Sequence, residues 1–384
     1  MRNTLKHDVF ENVLIGPSLT TRPIFGGGLV SPQKYPKFCR HNRHGKPNNS
    51  PLTLGKGPIP KLKTIDGVPY VFGGVYLTHF GHFIAEFLHR LWVLERPEHK
   101  NCTVLFVAKE SSVPPKRFFI EAMEYLGVKK WQILTDSHCV EKLVIAEQGK
   151  TLGRKSHPEY AQFLRRLADR NNIFLAKNTS NISIMRGHLA SRRLLAEKHL
   201  QNYLTQQGFT QFRPEEHPLI DQLKTIANAG KIILSDGSTG HLLDLLPEIQ
   251  AEVAFLARPY KTNIPKNSVA PKVRHVSIFD DVVSLITPLN SRNTPQETRA
   301  LLYAPLSRII NFLKYHNFIK KNAPDIRAPD YVTDMQHYLS SRSEWHQDFD
   351  HKDNQTILQQ AEIAYAARHK RGFISALLSR FTKH

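Results

Sequence analysis

Lys231-Ile-Ile-Leu-Ser-Asp-Gly-Ser-Thr-Gly-His241 reads as a strand, a tight turn and the start of a helix. The apolar core of the strand is short, β-branched and bounded by turn residues, as expected of a strand buried in a parallel sheet. Gly237-Ser238-Thr-Gly240 turns the chain, and the helix starts over His241 to Leu246. A small-residue turn entering a helix presents unpaired backbone N–H groups to an anion, and Ser238 and Thr239 add hydroxyls. The segment is neither a P-loop nor a dinucleotide fingerprint, because it lacks Gly-Lys-Ser/Thr and Gly-x-Gly-x-x-Gly. A plain connecting turn is the alternative reading.

The same alternation extends in both directions. Upstream, a strand over Ile182 to Arg186, a helix over Ser191 to Gln207 stopping at Gly208, a strand over Phe209 to Phe212, and a helix over Pro218 to Ala229 closed by Gly230 are predicted. Downstream, Val253 to Leu256 and His275 to Ile278 read as late strands. An earlier alternation comprises Val71 to Tyr76 (strand), His79 to Glu95 (helix), Thr103 to Ala108 (strand) and Pro115 to Leu126 (helix ending at Gly127). Trp131 to Thr135 and Leu143 to Ala146 follow as short strands, and Pro158 to Ala176 as a helix. Two consecutive runs of strand–helix units predict an α/β protein with two parallel sheets and helices on both faces. A ligand is then expected in a cleft at the carboxyl ends of the strands.

The flanks differ. Residues 1 to 65 hold 11 Lys+Arg against 2 Asp+Glu and are broken by many prolines, which predicts short strands and loops without a long helix. Past residue 290 the chain reads as helical, with Pro305 to Phe318 and Asn354 to Phe381 as the main segments. No internal repeat or low-complexity tract is present.

The chain has 384 residues and a formal charge of +20, with 40% apolar and 9% aromatic residues. That composition builds cores and excludes a disordered chain. The charge calls for an anionic partner: a nucleic acid, a membrane surface or a phosphorylated substrate. Cys39, Cys102 and Cys139 show neither zinc spacing nor a disulfide framework, in keeping with a reducing compartment. No apolar run is long enough to span a bilayer and the N-terminus has no apolar signal core, so the chain is expected in the cytoplasm.

The stretch with most chemistry is Thr78-His-Phe-Gly-His-Phe-Ile-Ala-Glu-Phe-Leu-His-Arg-Leu-Trp92. At helical spacing, His79, His82, Glu86, His89 and Arg90 share an arc of roughly 100°, and the phenylalanines and leucines cover the other side. A solvated face normally carries Lys and Glu, so three histidines with one glutamate predict a cleft wall of titratable groups. Glu86, one turn below His82, can orient that ring or raise its basicity. A solvent-facing stripe and a metal site of His79, His82 and Glu86 are the alternatives; the His-Glu-x-x-His order of zinc peptidases is absent. Arg186 sits at a strand end facing the expected cleft. Arg192 and Arg193 open the next helix, where cations oppose the macrodipole unless an anion sits there too.

Together these motifs resemble bacterial glycosyltransferase family 61, described as capsular polysaccharide biosynthesis proteins. The resemblance rests on Gly73-Gly74-Val75-Tyr76, the run from His79 to Glu86 and Arg90-Leu-Trp92. Further on it rests on Met185-Arg186, Arg193-Leu-Leu-Ala-Glu197, Gly208-Phe209 with Pro214-Glu215, and Gly237-Ser238-Thr-Gly-His241. It covers roughly residues 70 to 257. Methionine stands before Arg186 where the family usually has serine, and Leu242 follows His241 where a polar residue is frequent.

The resemblance implies a GT-B architecture of two Rossmann-like domains facing a cleft. It implies inverting, metal-independent transfer from a nucleotide-sugar donor, with no cofactor. The expected acceptor is a growing surface polysaccharide or a lipid-linked glycan. Domains are expected at 1–177 (acceptor side, with the basic proline-rich start), 178–290 (nucleotide-sugar binding) and 291–384 (helical, with a basic amphipathic tail). His82 and Glu86 are the base candidates, unranked. Arg186, Arg193, Gly237, Ser238 and His241 are expected on the donor side at the phosphates, with sugar contact or helix capping open for His241, and with His79, Arg90 and Glu197 in support. Asp348-Phe-Asp350 has the spelling of a metal motif but no strand before it, and reads as surface charge.

The tail from Arg368 to His384 carries five Lys/Arg and no acid, with Phe373, Ile374, Leu377, Leu378 and Phe381 on one helical face. That pattern fits a helix lying on the anionic inner face of the cytoplasmic membrane, or one docked on the protein body. Competing functions are a basic nucleic-acid-binding protein, for which no recognition motif is present, a metal-dependent hydrolase built on the histidine stripe, and a non-catalytic scaffold. No nucleic acid is expected as a partner.

Overall fold

The computed structural model describes residues 4–16, 29–31, 36–43, 46–47, 52–53, 63–67, 69–108, 114–174, 180–189, 193–257, 265–282, 284–286, 301–327, 329, 331 and 334. Arg192, Asp348 to Asp350, the helix expected over 354–381 and the basic tail lie outside the described residues.

The first sheet contains β1 (His7–Ile15), β2 (Leu29–Ser31), β3 (Leu52–Thr53), β4 (Lys63–Ile65), β5 (Tyr70–Tyr76), β6 (Val104–Ala108), β7 (Trp131–Leu134) and β8 (His138–Ala146). Its order is β3-β2-β1-β8-β5-β6-β7, with β4 also pairing β8. The run β8-β5-β6-β7 is parallel, whereas β1 runs antiparallel to both β8 and β2. The sheet is therefore mixed where an all-parallel one was expected. The proline-rich start supplies the added strands, and β1 pairs along nearly all of β8.

The second sheet is parallel throughout: β9 (Ser180–Ile184), β10 (Thr210–Gln211), β11 (Ala229–Ser235), β12 (Glu252–Leu256) and β13 (His275–Phe279), in the order β10-β9-β11-β12-β13. In chain order this is 2-1-3-4-5, a doubly wound sheet whose winding reverses between β9 and β11. Gly230 lies inside β11, not after the helix as expected. The helices are α1 (Arg117–Leu126), α2 (Pro158–Arg170), α3 (Glu197–Gln206), α4 (Leu219–Ala227) and α5 (Leu306–Tyr315), several of them shorter than their sequence patterns suggested. Helix α3 starts at Glu197 and not near Ser191, so Arg193 precedes it.

Strand side chains alternate between separate cores, as a period of two requires. In β6, Val104 and Phe106 enter the central core, and Leu105 and Val107 enter a second core on the sheet's outer face. In β11, Ile232 and Leu234 join the same central core, and Ile233 joins a third on the far side. The central core thus runs between the two sheets. Phe83, Phe106, Phe119 and Trp131 form a connected aromatic cluster there, with ring centroids 5.0–6.0 Å apart.

The segment read as one α-helix over His79 to Glu95 is helical in three styles. An α turn (Phe80–His82) widens into a π turn (Phe83–Phe87) and tightens into a 3-10 helix (Leu88–Glu95). His79 caps it, its Nδ1 accepting from the His82 N–H at 3.4 Å. Changes of pitch move successive residues off the fixed angular step of an α-helix. His89 and Arg90 consequently leave the face that carries His82. His89 is fully buried between the Tyr160 hydroxyl (2.9 Å) and the Ala85 carbonyl (2.8 Å). Arg90 is buried as well and donates to the carbonyls of Phe38, Cys39, Arg40 and Ala146. It pins the segment 38–40 to the end of β8.

Among the described residues, no helix is long and apolar enough to cross a membrane.

Candidate active site

Each sheet has a switch point, and the two converge. In the first sheet it lies between β5 and β8. The three-style helix leaves β5 there, and Glu147 to Lys150 leave β8. In the second sheet it lies between β9 and β11, whose carboxyl ends deliver Arg186 and Gly237. The 3-10 helix Ser238–Leu245 packs against the first two segments of the three-style helix. The approach is close. A Cβ on Gly81 would stand 2.8 Å from Ser238 Cβ and 3.3 Å from His241 Cδ2, and a Cβ on Gly237 would stand 2.6 Å from Arg186 Nη1. Glycine at both positions lets the two halves meet and lets the guanidinium lie along the turn.

On the first-sheet side, the Glu86 carboxylate is completely buried. It receives His82 Nδ1 at 2.7 Å on one oxygen and His41 Nε2 at 3.2 Å on the other, with the Arg43 charge 3.6 Å from that second oxygen. Burial by itself would raise the carboxyl, but hydrogen bonds from His41 and His82 and the charge of Arg43 outweigh it and hold the group at about 2. Glu86 is thus a fixed anion, and His82 turns Nδ1–H inward to it. The His82 ring is about one-third exposed (34%).

His41 is buried, stacked on Phe87 at 4.8 Å, and burial lowers its affinity for a proton. Gln148 Nε2 donates to His41 Nδ1 at 3.3 Å and to the Glu86 carbonyl at 3.3 Å. His41 accordingly carries its proton on Nε2 and donates it to Glu86.

On the second-sheet side, Glu197 ties the two switch-point strands together. Its Oε1 accepts from the Arg186 N–H at 2.8 Å and from the Ser235 hydroxyl, and its Oε2 accepts from the Leu194 N–H at 2.9 Å. Burial raises the Glu197 carboxyl against these bonds. Arg186 is half-buried beside Gly237. Arg193, expected at the donor phosphates, is buried and its guanidinium pairs with Asp334 Oδ2 at 2.6 Å. His241 gives Nδ1 to Asp244 Oδ2 at 3.2 Å, and Asp244 Oδ1 pairs with Lys150 Nζ.

Residues 80–248 match the family model for Glycosyltransferase 61. No curated protein matches the chain. The Glycosyltransferase 61 match supports glycosyltransferase activity in general terms, and its limits fall on the site. It opens at Phe80, where the three-style helix starts, and closes just after the 3-10 helix Ser238–Leu245.

The fold brings His79, His82, Glu86, Arg186, Gly237, Ser238 and His241 close together where the two sheets' segments meet, all but His79 inside the matched stretch. Arg90 and Glu197 stand behind them as buried braces, and Arg193 faces Asp334. The metal-hydrolase alternative is not favoured, because both Glu86 oxygens are occupied by side chains. Sequence reasoning missed His41, Arg43, Gln148, Lys150 and Asp244. Their contacts span 43 to 107 residues except for the His241–Asp244 pair, whose i,i+3 spacing was open to inspection.

Proposed function

We propose that the chain is a Glycosyltransferase 61 enzyme that moves a sugar, with inversion, from a nucleotide sugar to a glycan acceptor, in a crevice between two GT-B-like lobes. The observation that carries this reading is the contact, inside the family-matched residues, between the helical segments that leave the two sheets at their switch points. A surface polysaccharide or lipid-linked glycan is the acceptor expected from the resemblance, and the proposed reaction uses side chains and backbone N–H groups of this chain.

The donor diphosphate lies along Gly237 and Ser238, with the Arg186 guanidinium beside it and the N–H groups of the 3-10 helix facing it. Charge on the phosphate grows as the glycosidic bond breaks, so these donors act most strongly in the transition state. The acceptor hydroxyl oxygen attacks the anomeric carbon from the face opposite the phosphate. The new C–O bond forms, the old C–O electron pair leaves with the nucleoside diphosphate, and the hydroxyl proton passes to His82. Glu86 is the positioning residue: it is already an anion, its oxygens are engaged, and it stabilises the imidazolium as His82 takes the proton. His79 caps the helix that carries the base.

The test is a screen of nucleotide sugars for hydrolysis and transfer, followed by variants. His82→Ala should lower turnover by about 10²- to 10⁴-fold with donor affinity kept. Arg186→Ala should weaken nucleotide binding in calorimetry. Wild-type turnover in His82→Ala rules out the assigned base, and absence of any nucleotide-sugar binding rules out the function.

A further inference from the structure

Two histidines from the two sheets' segments stand near each other, and each gives Nδ1 to a buried carboxylate: His82 to Glu86 and His241 to Asp244. The second pair has an extra member. Asp244 is fully buried, and its other oxygen binds Lys150 Nζ. Lys150 is also buried and comes from the first sheet, four residues beyond β8. The ion pair therefore crosses from one sheet's segment to the other's.

This arrangement fixes the chemistry of His241. The carboxylate accepts, so the ring proton sits on Nδ1. Burial is the main opponent of a second proton. Lys150, His82 and His79 oppose it too, while the Glu86 carboxylate favours it; the balance holds the ring at about 3. Burial and the nearby Lys272 push the Lys150 amine itself well below its ordinary value, and burial pulls Lys272 down to about 7. A neutral imidazole with its proton on Nδ1 has a lone pair on Nε2. It can accept a hydrogen bond there and has no proton to give to a phosphate oxygen. The neighbouring ring atom, Cδ2, packs toward Gly81 beside Ser238, at the meeting of the two halves.

We propose that Lys150 and Asp244 hold His241 so that Nε2 accepts a hydrogen bond from a hydroxyl of the bound sugar, which assigns sugar recognition to His241 and leaves phosphate recognition to Arg186 and the Gly237–Ser238 turn. Of the roles the sequence left open for His241, phosphate contact, sugar contact or helix cap, this proposal takes the second. The assignment rests on the glycosyl-transfer reading, but its first test does not.

Long-range ¹H–¹⁵N spectra of histidine-labelled full-length protein report each ring's tautomer, with the His241 signals identified by their loss in His241→Gln. The expected result is a neutral ring protonated at Nδ1 from pH 8 down to pH 5.5. A ring protonated at Nε2, or doubly protonated at neutral pH, overturns the proposal. Asp244→Asn should shift the ring toward the Nε2–H tautomer, since the amide can donate to Nδ1.

The second test compares UDP, GDP and CMP with their sugar conjugates by calorimetry. For whichever pair binds, His241→Ala should weaken the sugar nucleotide at least tenfold and the parent nucleotide less than threefold. Equal weakening of both overturns the sugar assignment. If no sugar nucleotide binds wild-type protein, the transfer reading fails and the sugar assignment with it, while the spectra still decide the tautomer.

Discussion

Replacing Glu86 by glutamine keeps the shape of a fully buried side chain and removes its charge. The carboxyl is held at about 2 against an ordinary value of 4.5. At ~1.4 kcal/mol per unit, that difference makes the ionised form worth about 3 kcal/mol to the folded state. The folded-state value is depressed, so the stabilisation is complete above about pH 4.5 and disappears as pH falls toward about 2. Glu86→Gln should lose up to about 3 kcal/mol at pH 7, measured by urea unfolding, and its stability should change less than the wild type's between those two pH values. Turnover should fall by about 10²-fold, because a neutral amide neither fixes the Nδ1–H tautomer of His82 nor stabilises its protonated form. Unfolding and transfer assays on the same preparation separate the two effects. A variant as stable and as fast as wild type would refute the reasoning, and so would an acid-stability profile unchanged by the substitution.

Lys150→Met should cost about 3–5 kcal/mol by leaving the Asp244 carboxylate buried without its partner, and adding Asp244→Leu should recover most of the loss in thermal or urea unfolding. Gly237→Ala should fold normally yet weaken nucleotide binding in calorimetry, because its Cβ would displace the flexible end of Arg186, 2.6 Å away. Arg193→Ala should lower stability by about 2 kcal/mol through loss of the bond to Asp334, visible as a reduced urea midpoint. Phe119→Ala should cost about 3–5 kcal/mol, since it empties the centre of the aromatic cluster between the sheets; a loss below 1 kcal/mol would place that ring outside the core.

The strand–helix alternation was legible because it is written locally, in short β-branched runs, stopping glycines and helical periodicity. The His82–Glu86 pair was legible for the same reason, since four residues span one turn in either pitch model. The burial of His89 and Arg90 was not. It depends on a π turn followed by a 3-10 helix, and no fixed angular step anticipates that change. His41 and Gln148 lie 45 and 62 residues from Glu86, and Lys150 lies 94 from Asp244. Those meetings are set by strand order. β1 makes the first sheet mixed through backbone pairing with β8, for which a proline-broken, basic start gives little periodic signal. Arg193 looked like an anion ligand because it stood near a helix start, and the pairing with Asp334, 141 residues on, is invisible at that range.

The apolar interior shared by the two sheets has a practical corollary for anyone dissecting the molecule. Cutting the chain near residue 178 would strip one shared wall from Val71, Phe106 and Phe83 and the facing wall from Ile182, Leu234 and Phe255. Neither fragment would keep a closed interior. Separately expressed halves should aggregate, co-expression should rescue them, and grafting the C-terminal half onto a foreign partner will require redesigning the seam as well.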